Sequence, residues 1–308
     1  MNQQTIENSP LINRRTSLAM MVKGAGLAAA ACATGVTRAK ADHHKEDRFQ
    51  WGVHHYSLKP LFDLGELDLA SYPEFAAKVL GAPGIEIAEE LSWELFLNRD
   101  LCRKVRTEAE RFGPGVHAIL CDGKKAVDAP DSRAREAAID HHVKVAIMGA
   151  AVGARFLRLR AVSANPDQPG NAERQLEYAI RGINQLRSKI PGSGPEILVE
   201  NIAGHSRNPD WLVQLSKETG VGLIADFANF DGDIYEGMEK ILPFTKAVCT
   251  KSWKFNENGE ETTIDYRKMG TLIRNSNFHG TISIEYIDEK PTSVSGVTQT
   301  IKLLKKYL

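Results

Sequence analysis

From Phe49 to its end the chain alternates between short apolar runs and longer amphipathic stretches. The runs are FQWGVHHYSL (Phe49–Leu58), GIEIAEE (Gly84–Glu90), GVHAILC (Gly115–Cys121), ARFLRLRAV (Ala154–Val162), ILVEN (Ile197–Asn201), VGLIADFAN (Val221–Asn229), KAVCTKSW (Lys246–Trp253) and GTISIEY (Gly280–Tyr286). Val, Ile and Leu dominate them without strict polar alternation, the composition of parallel strands buried on both faces. The stretches between them carry helical periodicity. In AERQLEYAIRGINQLRSKI, for example, Leu176, Ile180, Ile183 and Leu186 fall on one 3.6-residue face. Gly113 and Pro114 stop the helix predicted over Asn98–Gly113. Eight strands alternating with eight helices predict the α/β class and one (β/α)₈ barrel over residues 48–308.

In a closed parallel barrel every strand ends on the same face, and the loops there build the site. The last four runs end at Glu200, Asp226, Cys249 and Glu285, so these four side chains should converge. Three carboxylates around one axis repel each other unless a divalent cation lies between them. A set rich in carboxylates favours Mg²⁺ or Mn²⁺.

ILVEN, IADFAN, the K-S-W after the seventh strand and FHGTISIEY, together with GVHHYSL and GIEIAEE, resemble in that order the sugar isomerase/epimerase family with the xylose-isomerase-like TIM barrel. The resemblance covers Phe49–Leu308. It implies a divalent metal held by Glu200, Asp226, Glu285 and the residue at Cys249, with Glu200 and Glu285 as the proton-transferring pair. The family's H-x-K segment reads C-T-K here, Cys249-Thr250-Lys251. A thiolate suits Zn²⁺ or Fe²⁺ and is a poor partner for Mg²⁺, so the expected arrangement is three carboxylates with Cys249 beside them. Lys251 points to the same mouth and can stabilise an oxyanion. Arg158, Asn201 and Asn229 stand at strand ends suited to binding hydroxyls, His54 and Glu86 at the opposite wall, and Trp253 where an aromatic face can stack on a sugar. One of His54 and His55 should face the barrel and the other its helices. His117, His141 and His142 are expected to be structural or exposed.

The first 41 residues carry a different signal. NRRTSLAMM with Arg14–Arg15, an Ala/Gly-rich apolar run and Ala39-Lys40-Ala41 resemble a twin-arginine export signal with its cleavage site. Residues 42–47 then form a short linker. Lys23 and the small residues oppose stable membrane insertion. The expected destination is the periplasm, with the twin-arginine translocation machinery as a partner; a homo-oligomer is left open. The mature chain would keep Cys102, Cys121 and Cys249, an odd number without metal-finger spacing.

Composition narrows the function. The 308 residues carry 39 basic and 39 acidic side chains, so no broad field favours nucleic acid. The loops show no glycine-rich phosphate cradle. The activity that the resemblance implies, narrowed in this way, is metal-dependent isomerisation or epimerisation of a non-phosphorylated sugar or keto-sugar through an enediolate. The alternatives are a lyase or dehydratase acting on an oxidised sugar or glycoside at the same site, and a non-catalytic carbohydrate-binding barrel.

Overall fold

A computed structural model of the chain describes residues 48–122, 126–161, 170–287 and 293–308. The expected signal and linker lie outside the described residues. Eight strands, β1 (Phe49–Val53), β2 (Gly84–Ala88), β3 (Val116–Leu120), β4 (Phe156–Leu159), β5 (Glu196–Glu200), β6 (Gly222–Asp226), β7 (Thr245–Ser252) and β8 (Gly280–Tyr286), pair in sequence order. All pairs are parallel, and β8 closes onto β1. The main helices are α1 (Tyr72–Phe75, prolonged by a π-helical stretch to Leu80), α2 (Arg99–Phe112), α3 (Ser132–Val152), α4 (Ala172–Lys189), α5 (Pro209–Thr219), α6 (Ile234–Ile241), α7 (Tyr266–Asn275) and α8 (Ser293–Tyr307). This is the (β/α)₈ barrel expected from the alternation. No helix among the described residues is long and apolar enough to cross a membrane.

Short polar side chains start the helices. Asn98, Asp131, Asn171, Asn208, Asp233 and Asp265 each accept a first-turn backbone N–H, satisfying a donor that the helix leaves unpaired. Most of the core lies between the strands and these helices, where Ile87, Ile119, Leu157, Val199, Leu223, Val248 and Ile284 are buried. A smaller cluster of Ala88, Ala118, Leu120, Phe156, Leu198, Ile224, Ala247 and Cys249 fills the barrel interior.

Two departures from the sequence expectation position the site. The first apolar run stops being a strand at Val53, and His55–Leu58 turns into a 3₁₀ helix. The turn sends His54 toward the barrel mouth and His55 into the helix layer against Phe62 and Tyr72, with ring centroids 4.3 and 5.6 Å away. The other departure is a register shift between β2 and β3, where Ile85 pairs with Val116 and Glu86 with Ala118. This leaves His117 as the extra residue of a bulge, and bulges re-aim side chains. Its ring lies where Gly52 and Gly84 have no side chain, since a Cβ on Gly84 would sit 2.1 Å from it.

His117 is fully buried, and neither ring nitrogen has a hydrogen-bond partner. Burial pushes its pKa from 6.5 down to about 3. A base whose folded pKa is depressed contributes nothing above its unfolded pKa and destabilises the fold as pH falls from there to the folded value, because only the unfolded state takes up the proton. The expected result is that His117→Leu flattens the acid side of the stability curve by about 1.4 kcal/mol per pH unit between the two values. Urea unfolding measured across that window checks it, and a slope identical to the parent's would refute the assignment.

Candidate active site

The strand register brings the expected residues into two layers. Asp226 pairs with Cys249 and Cys249 with Ser283; one layer toward the mouth, Lys251 pairs with Glu285. Glu200 ends β5 beside Ile224 of β6. Side chains two residues apart on a strand share a face, so Cys249 and Lys251 point inward together. Glu200, Asp226 and Cys249 offer donor atoms within 4.8 Å of one another. Glu285 joins through the Cys249 Sγ–H, which donates to its Oε2 at 3.0 Å.

Two internal cations balance the carboxylates. Lys251 Nζ lies 2.8 Å from Asp226 Oδ2 and 3.2 Å from Glu285 Oε2. Arg158, almost wholly buried, donates to both oxygens of Asp122 at 2.8 and 2.6 Å and lies 3.1 Å from Glu200 Oε2. Burial works against both charges, but the neighbouring carboxylates outweigh it and hold Lys251 and Arg158 protonated. Across the mouth, His54 lies 3.9 Å from both Glu86 and Glu285, and Ser283 donates to Glu86 at 2.6 Å. Burial pushes the Glu86 carboxyl up, with His54 opposing.

The two carboxyls at the centre are driven apart. Burial pushes Glu200 up to about 8, with Arg158 opposing and Asp226 adding to the rise. Burial also raises Glu285, but the positive fields of His54 and Lys251 win and bring it down to about 2. Burial and the surrounding acids keep Cys249 as a thiol. A hard divalent cation fits the carboxylate part of this set. Asp226 Oδ2 is buried and already faces the Lys251 ammonium at 2.8 Å, so a metal ion there would share this oxygen with Lys251. Cys249 fits only an ion that can displace its proton.

A cavity of about 400 Å³ opens over these groups, lined by His54, Tyr56, Glu90, Asp122, Arg158, Arg160, Glu200, Ile202, Lys251 and Glu285. This size suits a small polar ligand. Another hollow, lined by Arg187, Pro191, Glu196 and Gly220 around the start of β5, assembles no acid–base pair.

Several expected binding residues are placed elsewhere. The Asn201 amide exchanges two hydrogen bonds with the Asp226 backbone, at 2.9 and 2.7 Å. It therefore holds Asp226 in place and does not line the cavity. Trp253 packs against the outer core and Asn229 is half-buried; neither belongs to the lining. Asp122, Glu90, Tyr56 and Arg160 line the cavity without having been singled out in the sequence. Asp122 and Glu90 stand two residues past the ends of β3 and β2, close to the strand-end position that marked Glu200 and Asp226. Tyr56 donates to Glu90 Oε1.

A family profile described as "Xylose isomerase-like TIM barrel" matches residues 74–307. No curated protein sequence matches the chain significantly. Among solved structures, the chain is similar to a D-psicose 3-epimerase from Clostridium cellulolyticum H10, with 14% identity, 83% of this chain and 98% of that one covered, and a TM-score of 0.64. It is also similar to a 3-keto-D-glucoside 4-epimerase from E. coli, with 13% identity, 84% and 99% covered, and a TM-score of 0.63. A third similar structure, IOLI protein with a binding zinc atom, has 12% identity, 84% and 99% covered, and a TM-score of 0.65. At these identities the likeness establishes the fold.

Proposed function

The chain belongs to the xylose isomerase-like TIM barrel family, and from that premise we propose that it is a metal-dependent epimerase or isomerase of a non-phosphorylated sugar or keto-sugar. The observation that carries this reading is the gathering of Glu200 and Glu285 at one cavity, with Asp226 and the Lys251 ammonium between them. Two carboxyls placed this way can divide acid and base roles. The similar epimerases of D-psicose and of a 3-keto-D-glucoside point to the same substrate class.

Glu285, held ionised by His54 and Lys251, takes the proton from the carbon beside the substrate carbonyl. Glu200 returns a proton from the other wall. Lys251 Nζ places a fixed positive charge where the enediolate oxygen develops. Arg158, locked by Asp122, fixes the direction in which Glu200 points. Mn²⁺ or Mg²⁺ held by Glu200, Asp226 and Glu285 would supply positive charge that stabilises the enediolate and so acidifies the C–H beside the carbonyl.

The non-phosphorylated substrate class rests on the sequence, whose loops carry no glycine-rich phosphate cradle. The proposal also includes export through the twin-arginine machinery, on the strength of Arg14–Arg15 and Ala39-Lys40-Ala41.

The test is incubation of the purified protein with free sugars and 3-keto sugars in deuterated water. Deuterium should enter at the carbon next to the carbonyl, and a chelator should stop it. Absence of exchange on every sugar tried would turn the reading toward carbohydrate binding alone. One observation keeps the lyase in view: His54 Nδ1 is buried at the cavity without a hydrogen-bond partner and can protonate a leaving oxygen. Release of an eliminated product together with exchange would select that reaction.

A further inference from the structure

Behind the cavity wall, on the helix side of the barrel, lies a second set of side chains that the proposed reaction does not use. Glu89 follows β2, Cys121 follows β3, and His141 projects from α3. Their donor atoms lie within 4.8 Å of one another. His141 Nε2 is 2.8 Å from Glu89 Oε1, and Cys121 Sγ–H donates to Glu89 Oε2 at 3.1 Å. Glu89 and Cys121 are each only 1% exposed, while the His141 side chain is 14% exposed and offers a way in.

We infer that Glu89, Cys121 and His141 form a second cation site, selective for a borderline divalent ion such as Zn²⁺. Three observations converge on it. The donors are one sulfur, one imidazole nitrogen and one carboxylate oxygen, a mixture that suits zinc and is foreign to magnesium. The charges close: a divalent ion with a thiolate, a carboxylate and a neutral imidazole sums to zero, so no unpaired charge is buried. The Cys121 proton leaves to solvent as the ion binds, which makes uptake pH-dependent. Finally, Glu89 already touches both partners, so the three groups are gathered before any ion arrives.

The location gives the ion a task. Ala88 and Leu120 face the barrel interior, Cys121 belongs to the outer core, and Glu90 and Asp122 return to the cavity lining. An ion at the outer set ties the ends of β2 and β3 to α3. It thereby steadies the next residue on each strand end, Glu90 against Tyr56 and Asp122 against Arg158.

Cobalt(II) is the probe, because a cobalt–thiolate bond absorbs in the near ultraviolet and the ion quenches nearby tryptophan. The Trp93 ring lies 6.4 Å from that of His141 and is half exposed. Titration of the chelator-stripped full chain should produce both the absorption and quenching, and Trp93→Phe should remove most of the quenching. Cys121→Ser should lose the charge-transfer band, His141→Ala should weaken cobalt binding at this site at least tenfold, and Cys249→Ser should keep the Trp93 quenching. Zinc should displace the cobalt and raise the thermal midpoint of the parent and of Cys249→Ser by more than that of Cys121→Ser. Quenching and absorption unchanged in Cys121→Ser and His141→Ala, or absent in the parent, would overturn the inference. If Cys121→Ser does not fold by circular dichroism, His141→Ala decides, since its side chain reaches the surface. The outcome is independent of the sugar reaction, because no arm measures turnover.

Discussion

Glu285→Gln and Glu200→Gln should each lower the rate of deuterium exchange into the substrate by about 10²–10⁴-fold, the usual cost of a missing general acid or base. Each change keeps the side chain's size while removing its proton-transfer chemistry. The two losses should differ in kind. If Glu285 and Glu200 work from different walls, the residue that takes the proton from one epimer gives it to the other. Glu285→Gln should then block exchange out of one epimer more strongly, and Glu200→Gln out of its partner. Mass spectrometry of each epimer after incubation in deuterated water reads both rates. Metal content must be measured alongside, because both residues are also expected ligands. Equal, complete loss of exchange with full metal occupancy would mean that the two carboxyls act together at one face. Unaltered exchange in either variant would remove that residue from the mechanism.

How far the site could be read ahead of the structure depended on whether its signal was local. Glu200, Asp226, Cys249 and Glu285 each stop an apolar run, and parallel strands in a closed barrel leave such residues at one end whatever the loops do. Their convergence was therefore legible from patterning alone. What Lys251 touches was not. Its contacts with Asp226 and Glu285 follow from the β7–β8 register, a relation between segments that no single stretch encodes. Asp122 stands close to the same strand-end position as the others, but its meaning lies in the pairing with Arg158, 36 positions away. The His117 bulge was hidden for a related reason. GVHAILC reads as an even strand, and only the glycines at 52 and 84 show that a ring must fill the space between them. Asn201 and Trp253 were placed in the right neighbourhood by position, but their contacts go to the Asp226 backbone and to the outer core. A strand end fixes where a side chain starts; packing decides what it meets.

The largest effect on stability should come from Arg158→Met. Arg158 is 1% exposed and is the partner that Asp122 and Glu200 share. Removing one member of a buried charge network leaves the others desolvated and unpaired, at a cost of about 3–5 kcal/mol. Methionine fills the volume, so this loss reports charge rather than a cavity. The dependence on pH separates the two explanations. Burial raises the Asp122 carboxyl, but Arg158 outweighs it and holds the group below its ordinary value of 3.8. A depressed carboxylate contributes stability that is present above its unfolded pKa and lost as pH falls through the folded one. The gap between parent and variant should thus be widest near neutral pH and should close toward pH 3 and below. Adding Asp122→Asn to Arg158→Met should recover part of the loss, because the amide is neutral and no longer needs the guanidinium. Denaturant unfolding of the four proteins of this cycle, at neutral and acid pH, gives the coupling directly. A gap that stays constant with pH, or a double variant no better than the single, would show that Arg158 serves packing and that Asp122 is stabilised by other means.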